Sequence, residues 1–188
     1  MRKIISSTFV TLDNLMVGDN EDISWVTNNF DSKMGEDYMR DMGTILLGRT
    51  TYEIMAAAWP NRKESEEPGA DLMNNTPKIV ISKTFKKAPW GTYDNVTIMK
   101  DIVPEEMNKL KDQSGKNIVL MGSASIFQQL SDLGLIDEYR LFVHPIVLGS
   151  GKPLFKNITH RLNLKLVRTK MYNNGAILLN YERIREKN

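Results

Sequence analysis

Residues 116–145 read KNIVLMGSASIFQQLSDLGLIDEYRLFVHP. The apolar run 118–121 meets four small residues, Gly122, Ser123, Ala124 and Ser125, after which apolar positions spread to Ile126, Phe127, Leu130 and Leu133. A short unbroken apolar run suits a buried strand, and the wider spacing that follows is that of one helix face. The stretch therefore predicts a strand, a tight turn and an amphipathic helix. Small residues at such a junction admit two readings. They let a helix pack closely on a sheet, or they leave room for a phosphate against the unpaired amides of a helix N-terminus.

On either side the same pattern repeats. Residues 3–11 are rich in Ile, Val, Phe and Thr and predict a strand, followed by the polar stretch LDNLMVGDNEDISW, which predicts a loop. Phe30, Met34, Tyr38 and Met42 recur every four positions, so a helix is expected over residues 29–42 with Gly43 in the C-cap role. TILLG predicts a short buried strand and RTTYEIMAAAW a helix, and the polar residues 60–77 an exposed excursion. KIVISKTF is a further strand, PEEMNKLKDQSG a surface helix, and residues 138–155 a strand with a Gly-rich loop. Two strands flank Asn174-Gly175, the strongest short-range hairpin signal in the chain. Strands alternating with helices and ending in a hairpin predict one α/β domain with a mixed sheet, whose ligands bind beyond the carboxyl ends of its strands.

Composition excludes several function classes. The 188 residues are 41% hydrophobic and 26% charged, as in a globular protein. No apolar run approaches the roughly 18 residues of a membrane span, so no membrane role is expected. The apolar start at Ile4-Ile5 is lost at Ser6-Ser7-Thr8, too early for a signal peptide, and a cytoplasmic location is expected. Without cysteine there is no thiol nucleophile, and His144 and His160 lack metal-ligand spacing, so no metal is expected. A net charge of +2, with acids and bases interleaved, argues against nucleic acid as a partner.

Three strand ends carry candidate chemistry. Gly48-Arg49-Thr50-Thr51 combines close backbone approach, a helix start and a fixed cation for an anion. Ser82-Lys83-Thr84 places hydroxyls on both sides of a cation, a set that satisfies a phosphate monoester. The third is the cluster at Gly122. Each also reads as an ordinary turn or polar strand end, and neither a P-loop nor a G-x-G-x-x-G fingerprint is present.

Taken in order, LLGRTTYE, KIVISKTF and MGSASIFQQL…GLIDEYRLFVHPIVLGSGKPLF resemble the dihydrofolate reductase superfamily. The similarity is greatest to stand-alone relatives of the reductase domain of the riboflavin-biosynthesis deaminase-reductase. It covers nearly the whole chain. It implies a three-layer fold with a mostly parallel eight-stranded sheet, a C-terminal antiparallel hairpin and helices on both faces. It also implies NADPH as cofactor, with Gly48, Arg49, Thr50 and Thr51 at the cofactor phosphates. Ser82, Lys83 and Thr84 match the strand end that holds the 2′-phosphate. Gly122, Ser123, Ala124, Ser125 and Ile126 match a Gly-Gly-Ala-x-Ile turn over the pyrophosphate and nicotinamide, where relatives often carry a cis Gly-Gly bond. Here a trans Gly122-Ser123 bond is expected.

By the same resemblance Val10 and Thr11 lie beside the nicotinamide, and Asp13 and Met16 belong to a mobile loop that covers it. The chain departs from the pattern at three places. Thr11-Leu12-Asp13-Asn14 replaces Ser-x-Asp-Gly, Asp31 stands one position later than the pterin-binding acid, and AAAWPNRKESEEPG replaces the Asp-Asp-Pro substrate segment. Asp31 is the expected proton donor, with capping of a helix N-terminus as its other reading. Trp25 and Phe30 are expected as an apolar wall or as core. The expected activity is NADPH-dependent reduction of a small heterocycle, either a pterin or a 5-amino-6-(5-phosphoribosylamino)uracil-type compound of riboflavin biosynthesis. The alternative is a nucleotide-binding regulatory protein without turnover. A homodimer is implied by resemblance alone.

Overall fold

The structure, a computed structural model, describes residues 1–28 and 30–184. Strand β1 (Ile4–Thr11) is followed by β2 (Leu15–Val17), a four-residue helix α1 (Ser24–Thr27) and α2 (Ser32–Met39). Next come β3 (Met42–Gly48), α3 (Arg49–Ala58), α4 (Ala70–Asn75), β4 (Lys78–Ile81), β5 (Val96–Met99) and α5 (Pro104–Asp112). The chain continues through β6 (Asn117–Met121), α6 (Ala124–Asp132), β7 (Glu138–His144), β8 (Lys152–Pro153), β9 (Leu164–Met171) and β10 (Ile177–Arg183).

Eight strands form one sheet in the order β5-β4-β3-β6-β1-β7-β10-β9. Every pairing from β5 to β7 is parallel, and β10 runs antiparallel to both of its neighbours. Such a sheet is covered on both faces, which is why its central strands read as unbroken apolar runs. Alternation then divides them. Leu46, Ile79, Ile118 and Leu120 face Met107, Phe127 and Leu130 of α5 and α6, while Ile45, Leu47, Val80, Val119 and Met121 face Tyr52 of α3 and Met73 of α4. Each of these buried side chains contributes about 1.5–3 kcal/mol by removal from water. Leu120→Ala, at a fully buried position, would cost about 2–5 kcal/mol through the transfer and cavity terms together.

The fold, the parallel sheet and the hairpin at Asn174-Gly175 agree with the sequence. Gly175 takes φ 81°, the left-handed region its turn requires. Four local expectations are corrected. The second helix stops at Met39, because Asp41 takes a left-handed φ of 62° and turns the chain before Gly43 is reached; Met42 and Gly43 begin β3. Asn29, placed at the start of that helix, lies outside the described residues. The excursion over residues 60–77 contains α4, whose start is fixed when the Glu64 carboxylate accepts the amides of Gly69 (2.9 Å) and Asp71 (3.0 Å). The expected loop after β1 contains β2, paired with β8, and buries Leu15 and Met16. Strand β5 escaped detection because its four residues are half-exposed and lie on the sheet edge.

Candidate active site

The register aligns the three expected strand ends. Gly48 stands opposite Ile81, and Leu46 stands opposite Leu120, so Gly48, Ser82 and Gly122 end three neighbouring parallel strands at nearly the same height. All three open into one cleft of about 2050 Å³, lined from this side by Gly48, Arg49, Thr50, Thr51, Ser82, Lys83, Thr84 and residues 122–126. Parallel register forces this convergence, because every parallel strand delivers its carboxyl end to the same edge.

Helices α3 and α6 begin at this edge, and neither has a side-chain cap. Among the described residues the amides of Arg49, Thr50, Ala124 and Ser125 have no acceptor, so two positive helix ends meet there. The turns that feed them are held together by Ser123. Its hydroxyl accepts the Gly48 amide at 2.8 Å and lies 2.8 Å from the Thr51 hydroxyl. Gly48 has no alternative residue at this contact, since a Cβ there would stand 2.5 Å from the Ser123 oxygen. Gly122 and Ser123 both adopt left-handed backbone (φ 62° and 57°), an uncommon conformation for serine. The Gly122-Ser123 peptide is trans.

Cations surround these amides. Arg49 is exposed and makes no ion pair among the described residues. Lys83 is exposed and pairs with Asp101 at 2.8 Å. The Ser82 hydroxyl is turned inward and accepts the Thr84 and Phe85 amides at 3.3 and 3.2 Å, closing the turn after β4. Lys152 and Lys156 extend the positive rim, with Lys152 reaching Glu21 across the cleft. Sequence reading missed these two lysines because the Gly-rich loop that carries them reaches the cleft only through the β2–β8 pairing.

The residues expected around the reactive end are distributed differently. Val10 is buried in the core covered by α6, and Thr11 is buried with its hydroxyl donated to Asp13 at 2.6 Å; Thr8 and Phe9 line the cleft in their place. Asp13 also accepts the amides of Leu148 and Gly149 (3.3 and 2.8 Å), and the Thr11 hydroxyl bond followed by the Gly149 amide lowers its pKa. It ties two loops together and is not among the residues that line the cleft. Asn14 takes the left-handed φ of 66° expected of the missing glycine. Phe30 lines the cleft, and so does Met16, which is buried in β2 and not in a mobile loop. Trp25 instead packs edge-on against His144 at 5.1 Å. Asp31 caps α2, accepting the Lys33 amide at 2.9 Å and the Asn173 amide at 3.1 Å, and is not among the cleft-lining residues.

Tyr38, two turns along α2 from Asp31, lies at the cleft wall. Its ring stacks on Phe9, 4.5 Å away and 5° from parallel, and it lines the cleft. Its hydroxyl has no partner among the described residues, and burial raises its pKa, so it carries its proton throughout the physiological range. In the sequence Tyr38 belonged to a core stripe, and nothing local distinguishes it from Met34.

The family described as the RibD C-terminal domain matches residues 2–178. The uncharacterized protein YyaP of Bacillus subtilis (strain 168) is 37% identical over 184 residues, covering 96% of this chain and 94% of YyaP. A protein from Shewanella sp. PV-4 assigned to riboflavin biosynthesis superimposes with a TM-score of 0.76 at 22% identity, over 98% of this chain and all of the other. Dihydrofolate reductase from Enterococcus faecalis, solved with NADP(H), superimposes with a TM-score of 0.64 at 17% identity, over 96% of each chain. By the match over residues 2–178, the chain belongs to the RibD C-terminal domain family.

Proposed function

We propose that the protein is an NADPH-dependent reductase of a small heterocyclic substrate, of the type that serves riboflavin biosynthesis. The observation that carries this reading is the meeting of two uncapped helix N-termini with Arg49 and Lys83 at the ends of three adjacent strands. That donor set fits the phosphates of a dinucleotide: amides for the pyrophosphate, and separate cations for a monoester. The cleft exceeds the roughly 300–1000 Å³ of a single small-ligand pocket. A cofactor and a substrate can share it. The Enterococcus faecalis neighbour was solved with NADP(H), which supports the same cofactor here.

When bound, the reduced nicotinamide supplies a hydride; the chain supplies position, shelter from water and a proton. Arg49, Thr50 and Thr51, with the amides of residues 122–125, hold the pyrophosphate. Lys83 and Thr84 hold the 2′-phosphate. Tyr38 is assigned as proton donor on position, because it lines the cleft and its hydroxyl has no partner among the described residues; burial makes it a weaker acid, so it gives up its proton only to the strongly basic anion that hydride transfer leaves on the substrate. Asp31, with both oxygens engaged by backbone amides, keeps its capping role.

The test is a calorimetric titration with NADPH, followed by NADPH oxidation at 340 nm against dihydropterins and 5-amino-6-(5-phosphoribosylamino)uracil. Micromolar binding with turnover of one of them is expected. Absence of binding removes the cofactor assignment, whereas binding without turnover favours a nucleotide-binding regulator.

A further inference from the structure

A buried polar atom at the carboxyl edge of the sheet has no partner. His144 closes β7, and its Cα stands opposite Thr11 at the end of β1. Alternation along β7 puts it on the face that carries Phe142, the face covered by Met34 and Tyr38 of α2. The residue is 4% exposed, and its Nε2 is enclosed without a hydrogen-bond partner among the described residues. Burial lowers its pKa, so the ring is neutral, with one N–H and one lone pair to satisfy. Buried polar groups are almost always paired, and an exception is kept at a cost to stability that an apolar residue of similar shape avoids.

The imidazole sits in a box of aromatic rings that leads to the cleft. Phe9 meets it edge-on at 5.7 Å and Trp25 at 5.1 Å. Phe9 also stacks on Tyr38 at 4.5 Å and meets Phe30 at 6.3 Å, and these three rings line the cleft. Trp25 is carried by α1, whose neighbouring residues Ile23, Val26 and Thr27 line the cleft too. This single helical turn thus has the cleft on one side and the imidazole on the other. It is lightly held. It has four residues, no side-chain cap and one buried side chain, Val26. The amides of Val26 and Asn28 return to the carbonyls of Ile23 and Ser24 (2.9 Å each), and the Trp25 indole donates to the Asp22 carbonyl at 3.3 Å. Among the described residues no hydrogen bond ties residues 23–28 to the sheet. Segments with so few fastenings open at little cost.

We infer that His144 is a substrate-binding residue: with the Trp25 turn displaced, a flat heterocycle takes the place of the indole beside Phe9, and Nε2 pairs with the polar edge of that ring. The inference rests on the reductase reading for the kind of ligand and adds the group that reads it. By changing tautomer a neutral imidazole offers either a donor or an acceptor at Nε2, so it matches a lactam edge, where a ring N–H stands beside a carbonyl oxygen. Dihydropterins and aminouracils both present that edge. A ring without it leaves Nε2 buried and unpaired, and a site built on a polar contact rejects such a ring strongly.

Histidine occurs only at 144 and at the exposed 160, so the imidazole ¹⁵N spectrum is assigned by substitution. Wild type is titrated with 6-hydroxymethyl-7,8-dihydropterin and with 5-amino-6-(5-phosphoribosylamino)uracil, each with and without saturating NADP⁺. The Nε2 resonance of His144 is expected to move on saturation while the signals of His160 stay. Tryptophan emission should change on binding in the wild type and not in Trp25→Phe. His144→Phe keeps an aromatic ring and removes both nitrogens; it is expected to bind both compounds about tenfold or more weakly, with NADP⁺ affinity unchanged and no loss of melting temperature at neutral pH. A His144 resonance unmoved by saturating ligand in the wild type overturns the inference whatever the variants do. Wild-type affinity in folded His144→Phe overturns it as well, and so does binding of neither compound to the wild type. Failure of NADP⁺ itself to bind strikes the cofactor reading instead, and the series without NADP⁺ still decides the role of His144.

Discussion

At the strand-end half of the cleft the lining is mostly backbone, held by register and by the Ser123 bridge between two turns. Elsewhere it is side chains, carried on α2, on α3 and on the polar excursion that leads from α3 to β4. Backbone positions at strand ends are dictated by the sheet, so the first half is rigid before any ligand arrives. The second half is shaped by methionines and by Glu64 gripping α4 from a distance. On the proposed reading, cofactor recognition would rest on the part of the fold least able to vary, and substrate recognition on the part most able to.

The largest expected effect separates chemistry from binding. Tyr38→Phe removes one hydroxyl and keeps the stack on Phe9, so NADPH affinity should stay constant while turnover falls by about 100-fold, the scale of a lost proton donor. A variant with normal turnover would return the proton to solvent or to another group. Gly48→Ala should act on the rigid half alone. Its new Cβ meets Ser123 at 2.5 Å, so a stability loss of about 1–3 kcal/mol by overpacking is expected, with NADPH binding weakened by roughly tenfold. Thermal melting and calorimetry on one sample would read both; unchanged NADPH affinity would detach the β3 end from the cofactor.

Legibility in the sequence follows the same division. The three strand ends could be found because strand, small-residue turn and helix are contiguous in the chain, and parallel register brings such units together without further information. The second half is assembled from residues far apart. Trp25 was expected in the pocket but faces His144 at the end of β7, a contact between α1 and a strand more than a hundred residues away that local spacing does not reveal. Asp31 carried two readings, and the distant Asn173 amide adds to its cap. Tyr38 looked like one more core residue because helical periodicity reports which face is buried, not which ring is reached by ligand. The helix end was misjudged for a local reason: glycine is the usual left-handed residue, and here Asp41 takes that conformation two positions earlier.

Smaller effects sharpen the contrast. Asp101→Asn should free Lys83 from an exposed ion pair worth about 0.2–1 kcal/mol and tighten NADPH by about two- to fivefold. NADH should be unaffected, and equal gains for both cofactors would place Lys83 away from the 2′-phosphate. On the other side, burial lowers the pKa of His144, beneath Trp25. Below the unfolded value of about 6.5 the unfolded chain binds a proton that the folded site resists. Stability should therefore be constant above that pH and fall below it, by on the order of 2–4 °C in melting temperature per kcal/mol lost. His144→Leu should flatten the melting profile between pH 5 and 8; an unaltered profile would assign the acid sensitivity elsewhere.

The central claim is that the aligned ends of β3, β4 and β6 form an NADPH site whose 2′-phosphate is held by Lys83 with Arg49 beside it. Parallel calorimetric titrations of NADPH and NADH into the wild type and Lys83→Ala test it directly. The account predicts about 30-fold to 1000-fold preference for NADPH, a net 2–4 kcal/mol after desolvation and side-chain ordering. Lys83→Ala should lose about tenfold in NADPH affinity and leave NADH unchanged. Equal binding of the two cofactors by the wild type, or equal weakening of both by the substitution, would contradict it.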